Sequence, residues 1–282
     1  MEGTGKKSVK DGIKPVVPMP SATVTIVRDA GAGIEVLMMK RNLKSGFVPG
    51  MYVFPGGGLD NTDLSFKNNG LCSCLDDAQA SGALGMACDG LAYWVAAIRE
   101  AFEESGLLLA RNGAGEVVRL TDTEIAHRFT EHRRQLNAGT VEFPALVHAE
   151  NLQLAADQLT YFAHWITPVG LPRRYDTRFF MAEAPAGQEP LQDERETIAA
   201  TWVSPAEALS RHQRGEFEMR TPTVRTLETF ADYGSVASLR TGLAGRRHEI
   251  RTMLPRIGSD GRRILPGEHG YEEAGSASGA RT

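Results

Sequence analysis

The chain has 282 residues, 41% of them hydrophobic and 23% charged, with a net charge of −4, which fits one large globular domain or two modest ones. The acidic balance excludes a long-range positive field that would draw the chain to nucleic acid or anionic membranes, and no apolar run approaches the roughly 20 residues that a membrane-spanning helix needs. The three cysteines, Cys72, Cys74 and Cys88, exclude a disulfide framework and point to a reducing compartment, the cytoplasm.

In chain order, residues 1–19 are polar and broken by Pro15 and Pro18. They are expected to form a flexible N-terminal arm without the apolar core of a signal peptide. Ser21–Arg28 and Ile34–Lys40 read as strands joined at Gly31-Ala32-Gly33, a hairpin. Met51–Phe54 reads as a short strand stopped by Pro55 and Gly56-Gly57-Gly58. Residues 59–90, rich in Gly, Ser, Asp and Asn, are expected to be an insertion of loop with short helix.

Leu91, Trp94, Val95, Ile98 and Phe102 form a stripe at helical spacing, so a helix is predicted over Leu91–Ser105, ended by Gly106. Thr121 with Glu124 predicts a capping box for a helix to about Gln135, and a short helix is expected over Asn151–Gln158. Tyr161–Thr167, Thr177–Glu183 and Thr197–Val203 read as strands. Ser204-Pro205 and Thr221-Pro222 open two further helices, the second running to about Tyr233. The chain from 245 to 282 is expected to be an extended tail, and its last residues, Ala280-Arg281-Thr282, are not a peroxisomal address. Strands flanking single helices predict a mixed sheet between helical layers, an α/β fold over 20–244.

The chemistry concentrates in Arg99-Glu100-Ala101-Phe102-Glu103-Glu104-Ser105-Gly106-Leu107. On a helix, Glu100 lies over both Glu103 and Glu104. Three carboxylates on one patch are a natural site for a hard divalent cation such as Mg²⁺ or Mn²⁺. A bare Glu-x-x-Glu-Glu would ordinarily be a solvated helix face, so the flanking residues decide.

Those flanks resemble the Nudix hydrolase family. Arg99, Glu100, Glu103, Glu104, Gly106 and Leu107 match the second half of the Nudix box. Phe54-Pro55-Gly56-Gly57-Gly58 resembles the turn that precedes it, and Trp202-Val203-Ser204-Pro205 resembles a strand-to-helix segment that follows it. The resemblance implies an α/β/α sandwich around a mixed sheet and hydrolysis of a nucleoside diphosphate linked to another group. It implies metal ligation by Glu103 and Glu104. For Glu100 it implies ligation or a general-base role, and for Arg99 the orienting of the carboxylates. Gly57 is the candidate for a ligating carbonyl, and Glu196 for a further ligand or base.

The box is interrupted. Residues 59–98 separate the glycine turn from Arg99, and the slot of an intermediate glutamate holds Leu91. An acid such as Asp89 is the expected replacement partner of Arg99. An interrupted box is similar to the Nudix branch that contains the peroxisomal coenzyme A diphosphatase, which implies coenzyme A or an acyl derivative as substrate. Arg173, Arg174 and Arg178 are candidate phosphate-binding forks. The competing readings are an ADP-ribose, NADH or nucleotide-sugar pyrophosphatase and a non-catalytic ligand-binding regulator. The partner expected is a small diphosphate compound rather than nucleic acid or membrane, and a homodimer is left open.

Overall fold

The structure, a computed structural model, describes residues 16–31, 33–42, 50–191 and 197–277. β1 (Met19–Ala30) and β2 (Gly33–Arg41) form the expected hairpin, antiparallel from Val27↔Val36 to Ala30↔Gly33. β1 is longer than its alternation suggests, because its first half pairs elsewhere. β3 (Tyr52–Val53) pairs with β2, and β4 (Gly56–Gly58) pairs antiparallel with β1 through Ser21, Ala22 and Thr23.

The segment 59–90 is ordered by its caps. Asp60 accepts from Thr62 N–H and opens a 3-10 helix, Asn61–Asn68. Asp76 caps α1 (Asp77–Leu84) in a capping box with Gln79. Phe66 carries this insertion into the core, where it packs against Phe143.

α2 (Leu91–Ser105) has the predicted bounds, and Gly106 ends it with φ 75°. β5 (Ala110–Arg111) precedes α3 (Thr123–Asn137). The cap of α3 is Asp122 rather than Thr121, since its carboxylate accepts from the N–H groups of Glu124 and Ile125. Of the helix expected over Asn151–Gln158 only a 3-10 turn, Ala156–Gln158, forms, and a helix not expected from the sequence, α4 (Phe143–Ala149), precedes it with Pro144 in its first turn. Asn151 takes a left-handed φ of 50°, which no helix continues through, and β6 (Gln153–Leu154) then pairs with β5.

β7 (Thr160–Ile166), β8 (Tyr175–Glu183) and β9 (Thr197–Val203) complete the central strands. β8 runs parallel to β1, from Met19↔Tyr175 to Val27↔Glu183, and β9 pairs antiparallel with β2. Ser204 caps α5 (Pro205–Gln213), and α6 (Thr221–Phe230) follows with Arg220 at its N-cap position.

α7 (Val236–Gly245) follows α6 and packs Leu239 into the core. From residue 245 onward the chain departs from the expected extended tail, and β10 (Thr252–Met253) adds to β7 in parallel. β11 (Arg256–Ile257) and β12 (Arg263–Ile264) form a hairpin, and α8 (Tyr271–Ala277) packs on it. Two-residue strands carry no periodic signal, so partners rather than pattern define them.

The mixed sheet runs β10-β7-β8-β1-β2-β3, with β4 on β1 and β9 on β2. Period-two alternation gives it two apolar faces. Val24, Ile26, Leu37 and Phe180 pack under α2 with Trp94, Ile98 and Phe102. Val27, Val36, Met38 and Phe179 pack under α5, α6 and α7 with Phe217, Leu227, Phe230 and Leu239. The result is the expected α/β/α sandwich.

Candidate active site

The site forms where α2 meets the glycine strand β4. A side chain on Gly57 would collide with the Glu100 carboxylate, and one on Gly56 with the backbone of Ala22 and Thr23. Glycine is what lets the acidic helix approach β1 this closely. The Gly56 N–H donates to Glu104 Oε2 at 3.1 Å.

Arg99 organises the cluster. Its Nη1 donates to Glu100 Oε1 at 2.8 Å and to Glu103 Oε2 at 3.0 Å, and its Nη2 donates to the Gly58 carbonyl at 2.9 Å. The other edge of the guanidinium is taken by Asp63, with Nε to Oδ1 and Nη2 to Oδ2 both at 3.0 Å. The partner of Arg99 is therefore Asp63, from the 3-10 helix of the insertion. Asp89 instead pairs with Lys67 and accepts from Cys88. Asp63 also receives the Asp60 N–H, and this Asp60/Asp63 capping pair was the available signal for it in the sequence.

Burial, the largest cause, pushes the Glu100 carboxyl well above the usual carboxylate range. Arg99 opposes the rise and Glu103 adds to it. Glu103 is raised in the same way, first by burial and then against the pull of Arg99. Burial alone would lower the Arg99 guanidinium, yet its pairs with Asp63, Glu100 and Glu103 drive it upward. At the end of α2, Arg133 from α3 donates to the carbonyls of Glu103 and Glu104, at 2.9 and 2.7 Å, satisfying the last turn.

This donor set suits a hard divalent cation, since Glu100 and Glu103 are carboxylates raised first by burial and then by like charge, against the pull of Arg99. Among the described residues no three carboxylate, imidazole or thiolate groups already converge as a cage. The reason is visible in the contacts, because Arg99 lies between Glu100 and Glu103 while Glu104 turns to Gly56.

These acids open into a cavity of about 1120 Å³. Gly56–Gly58, Glu100, Glu103 and Glu104 are among its lining residues. Arg41, Arg173, Arg220 and Arg263 add positive charge, and Trp165, Pro168, Tyr175, Phe179 and Pro255 add apolar wall. Arg41 lies 3.9 Å from Glu104. Arg41, Arg220 and Arg263 carried no motif that marked them in the sequence.

Of the three arginines proposed to grip phosphate, only Arg173 lines the cavity. Arg174 is buried and donates to the carbonyls of Val16, Thr167 and Pro168. Arg178 points to the α2 face, paired with Asp176 and His164 and lying over Tyr93. Strand parity explains this, because Arg178 shares a face with Phe180 in the core, whereas Thr177 and Phe179 face the cavity. His164 is likewise a packed histidine, held between Asp176 and Thr252. Glu196 lies outside the described residues. No helix among the described residues is long and apolar enough to cross a membrane.

An α/β/α sandwich that sets a glycine turn against an Arg-Glu-x-x-Glu-Glu helix defines the chain as a Nudix hydrolase. The family model of the NUDT19 Nudix domain matches residues 16–229, and the chain belongs to that family. Acyl-coenzyme A diphosphatase NUDT19 of Xenopus laevis is 28% identical, over 88% of this chain and 74% of that protein. The Homo sapiens protein of the same name is 27% identical, over 86% and 73%. Among solved structures, a NUDIX hydrolase from Alicyclobacillus acidocaldarius superposes with a TM-score of 0.67 at 29% identity, covering 80% of this chain and 96% of that one.

Proposed function

We propose that the chain hydrolyses the diphosphate of coenzyme A or an acyl-coenzyme A, giving adenosine 3′,5′-bisphosphate and a 4′-phosphopantetheine product. The observation that carries this reading is the single cavity in which an acidic cluster, arginines and an apolar wall meet. A ligand with a diphosphate, a further phosphate and a long arm needs those three surfaces together. The names of the relatives point to the same substrate class.

Mg²⁺ or Mn²⁺ bound by Glu100, Glu103 and Glu104, with Gly57 as the candidate carbonyl ligand, would supply charge neutralisation and an acidified water. Within the protein, Arg99 fixes Oε1 of Glu100, which leaves Oε2 to take a proton from the attacking water. The anchoring of Arg99 by Asp63 and the Gly58 carbonyl keeps Glu100 and Glu103 on the glycine-turn side of α2. The attack forms one P–O bond and breaks the bridging P–O bond, so no covalent nucleophile is required. Glu196 remains the proposed additional acid, and Arg173 a phosphate contact.

The test is product mass analysis with Mg²⁺ or Mn²⁺ on a panel of coenzyme A, an acyl-coenzyme A, ADP-ribose, NADH and a nucleotide sugar. Adenosine 3′,5′-bisphosphate with a phosphopantetheine product is expected, at the highest specificity constant of the panel. A much higher constant for ADP-ribose or NADH would replace the substrate, and no turnover of any member would replace the hydrolase reading with a binding one.

A further inference from the structure

Arg220 and Arg263 line the same cavity as Glu100, Glu103 and Glu104, and the chemistry above does not use them. They come from distant parts of the chain. Arg220 precedes α6, and Arg263 lies in β12, beyond residue 229 where the family match ends. Among the described residues neither guanidinium has a hydrogen bond or an ion pair, in contrast to Arg99, Arg133, Arg174 and Arg178, which are all engaged.

Arg220 lies within electrostatic reach of Arg263. Desolvation at the cavity wall, and then repulsion from Arg263, hold the Arg220 guanidinium below its ordinary pKa, against the pull of Glu218. Two guanidinium groups on one cavity wall, neither held in an ion pair, repel each other until an anion lies between them. Their planar forks match the oxygens of a phosphate monoester.

We propose that Arg220 and Arg263 clamp a phosphate monoester of the substrate that is separate from the scissile diphosphate. The acids of α2 and this arginine pair line one cavity. The acids take the diphosphate through bound cations, and the arginine pair then needs an anionic group of its own. A ligand whose phosphates all lie in the diphosphate leaves the pair unsatisfied. On the hydrolase reading given above, on which this assignment of substrate rests, the clamped group is the 3′-phosphate of coenzyme A. The C-terminal hairpin is thereby a specificity element, since it delivers Arg263.

The test is calorimetric binding of adenosine 3′,5′-bisphosphate and of AMP to the full chain at one fixed Mg²⁺ concentration. Wild type is expected to prefer the bisphosphate by about ten- to a hundred-fold, the range of a charge-assisted hydrogen bond. Arg220→Gln and Arg263→Gln should each remove most of that preference while leaving AMP affinity and the melting temperature unchanged. Arg263→Lys should retain part of it. Equal affinity of wild type for both ligands, an undiminished preference in the double variant, or an equal loss for both ligands would each overturn the clamp. Retained preference in a wild type that does not cleave coenzyme A would keep the clamp and discard the substrate reading.

Discussion

Asp63 and Arg99 meet edge to edge in a buried bidentate pair, with both N···O distances at 3.0 Å, although 36 positions separate them in the chain. The partners respond differently to burial. Asp63 is raised above the usual carboxylate range, because its complete desolvation outweighs the pull of Arg99. Arg99 is raised because it has Glu100 and Glu103 as well. The pair is thus a weak source of net stability but a costly one to break, since removal of one partner strands a charge in the interior.

Asp63→Ala is therefore expected to destabilise the fold by about 3–5 kcal/mol in urea unfolding. Loss of the support behind Glu100 and Glu103 should lower turnover by about 10–100-fold. Asp89→Asn should change neither quantity, because Asp89 makes an exposed pair with Lys67. The reverse pattern would return the supporting role to Asp89.

The contrast between these two aspartates marks what the sequence can carry. α2 is legible in full, since Leu91, Trp94, Val95, Ile98 and Phe102 repeat at helical spacing and Gly106 ends them. The acidic patch follows from the same periodicity. The insertion has no stripe, and its order comes from local caps at Asp60 and Asp76 and from the long-range pair to Arg99. The short strands after 245 depend wholly on their partners, so Arg263 could not be placed from pattern. Arg178 was placeable, because period-two alternation puts it on the face of Phe180 and away from Thr177 and Phe179.

The three thiols should label in a set order. Cys72 is half-buried, and desolvation pushes its thiol up to about 12. Cys88 is exposed, but its donation to Asp89 raises its pKa as well. Cys74 is exposed. Iodoacetamide at pH 8 followed by peptide mass analysis should find Cys74 modified first, Cys88 next and Cys72 last. The raised Cys72 pKa also means that its contribution to stability is complete below the ordinary thiol pKa of about 9 and is lost as pH rises toward about 12. Early modification of Cys72 in the folded protein would contradict its burial.

An acid-side effect is expected from Asp157. Its carboxylate accepts two bonds from Arg111 at 2.7 Å and one from Ser73 at 3.1 Å, and the Arg111 hydrogen bond, the largest cause, lowers its pKa to about 2. A depressed carboxylate stabilises the fold above its unfolded value of 3.8, and that contribution is lost as pH falls toward about 2. Arg111→Ala should cost about 1–2 kcal/mol at pH 7, discounted for the partial exposure of the pair. The difference from wild type should shrink between pH 4 and pH 2 in urea unfolding. A difference that grows on acidification would refute the assignment.

Glu103→Gln separates chemistry from folding most cleanly. Glu103 sits at the edge of the cluster, with its side chain 23% exposed and its carboxyl raised first by burial and then, against the pull of Arg99, by repulsion from Asp63 and Asp60. Glutamine keeps the shape and can still accept from Arg99 through its carbonyl oxygen, while the like-charge contact with Glu100 is relieved, an effect of about 0.2–0.5 kcal/mol per helical pair. The unfolding midpoint should therefore move little. The variant lacks one anionic oxygen ligand, so Mn²⁺ affinity measured by electron paramagnetic resonance should fall, and turnover should fall by orders of magnitude with it. Raising Mn²⁺ should recover part of the rate, because the remaining carboxylates still bind the ion at higher concentration. EDTA should abolish wild-type turnover, and added Mg²⁺ or Mn²⁺ should restore it. Full activity of Glu103→Gln, or of wild type in EDTA, would remove the metal from the mechanism and leave the α2 carboxylates as a structural cluster held by Arg99.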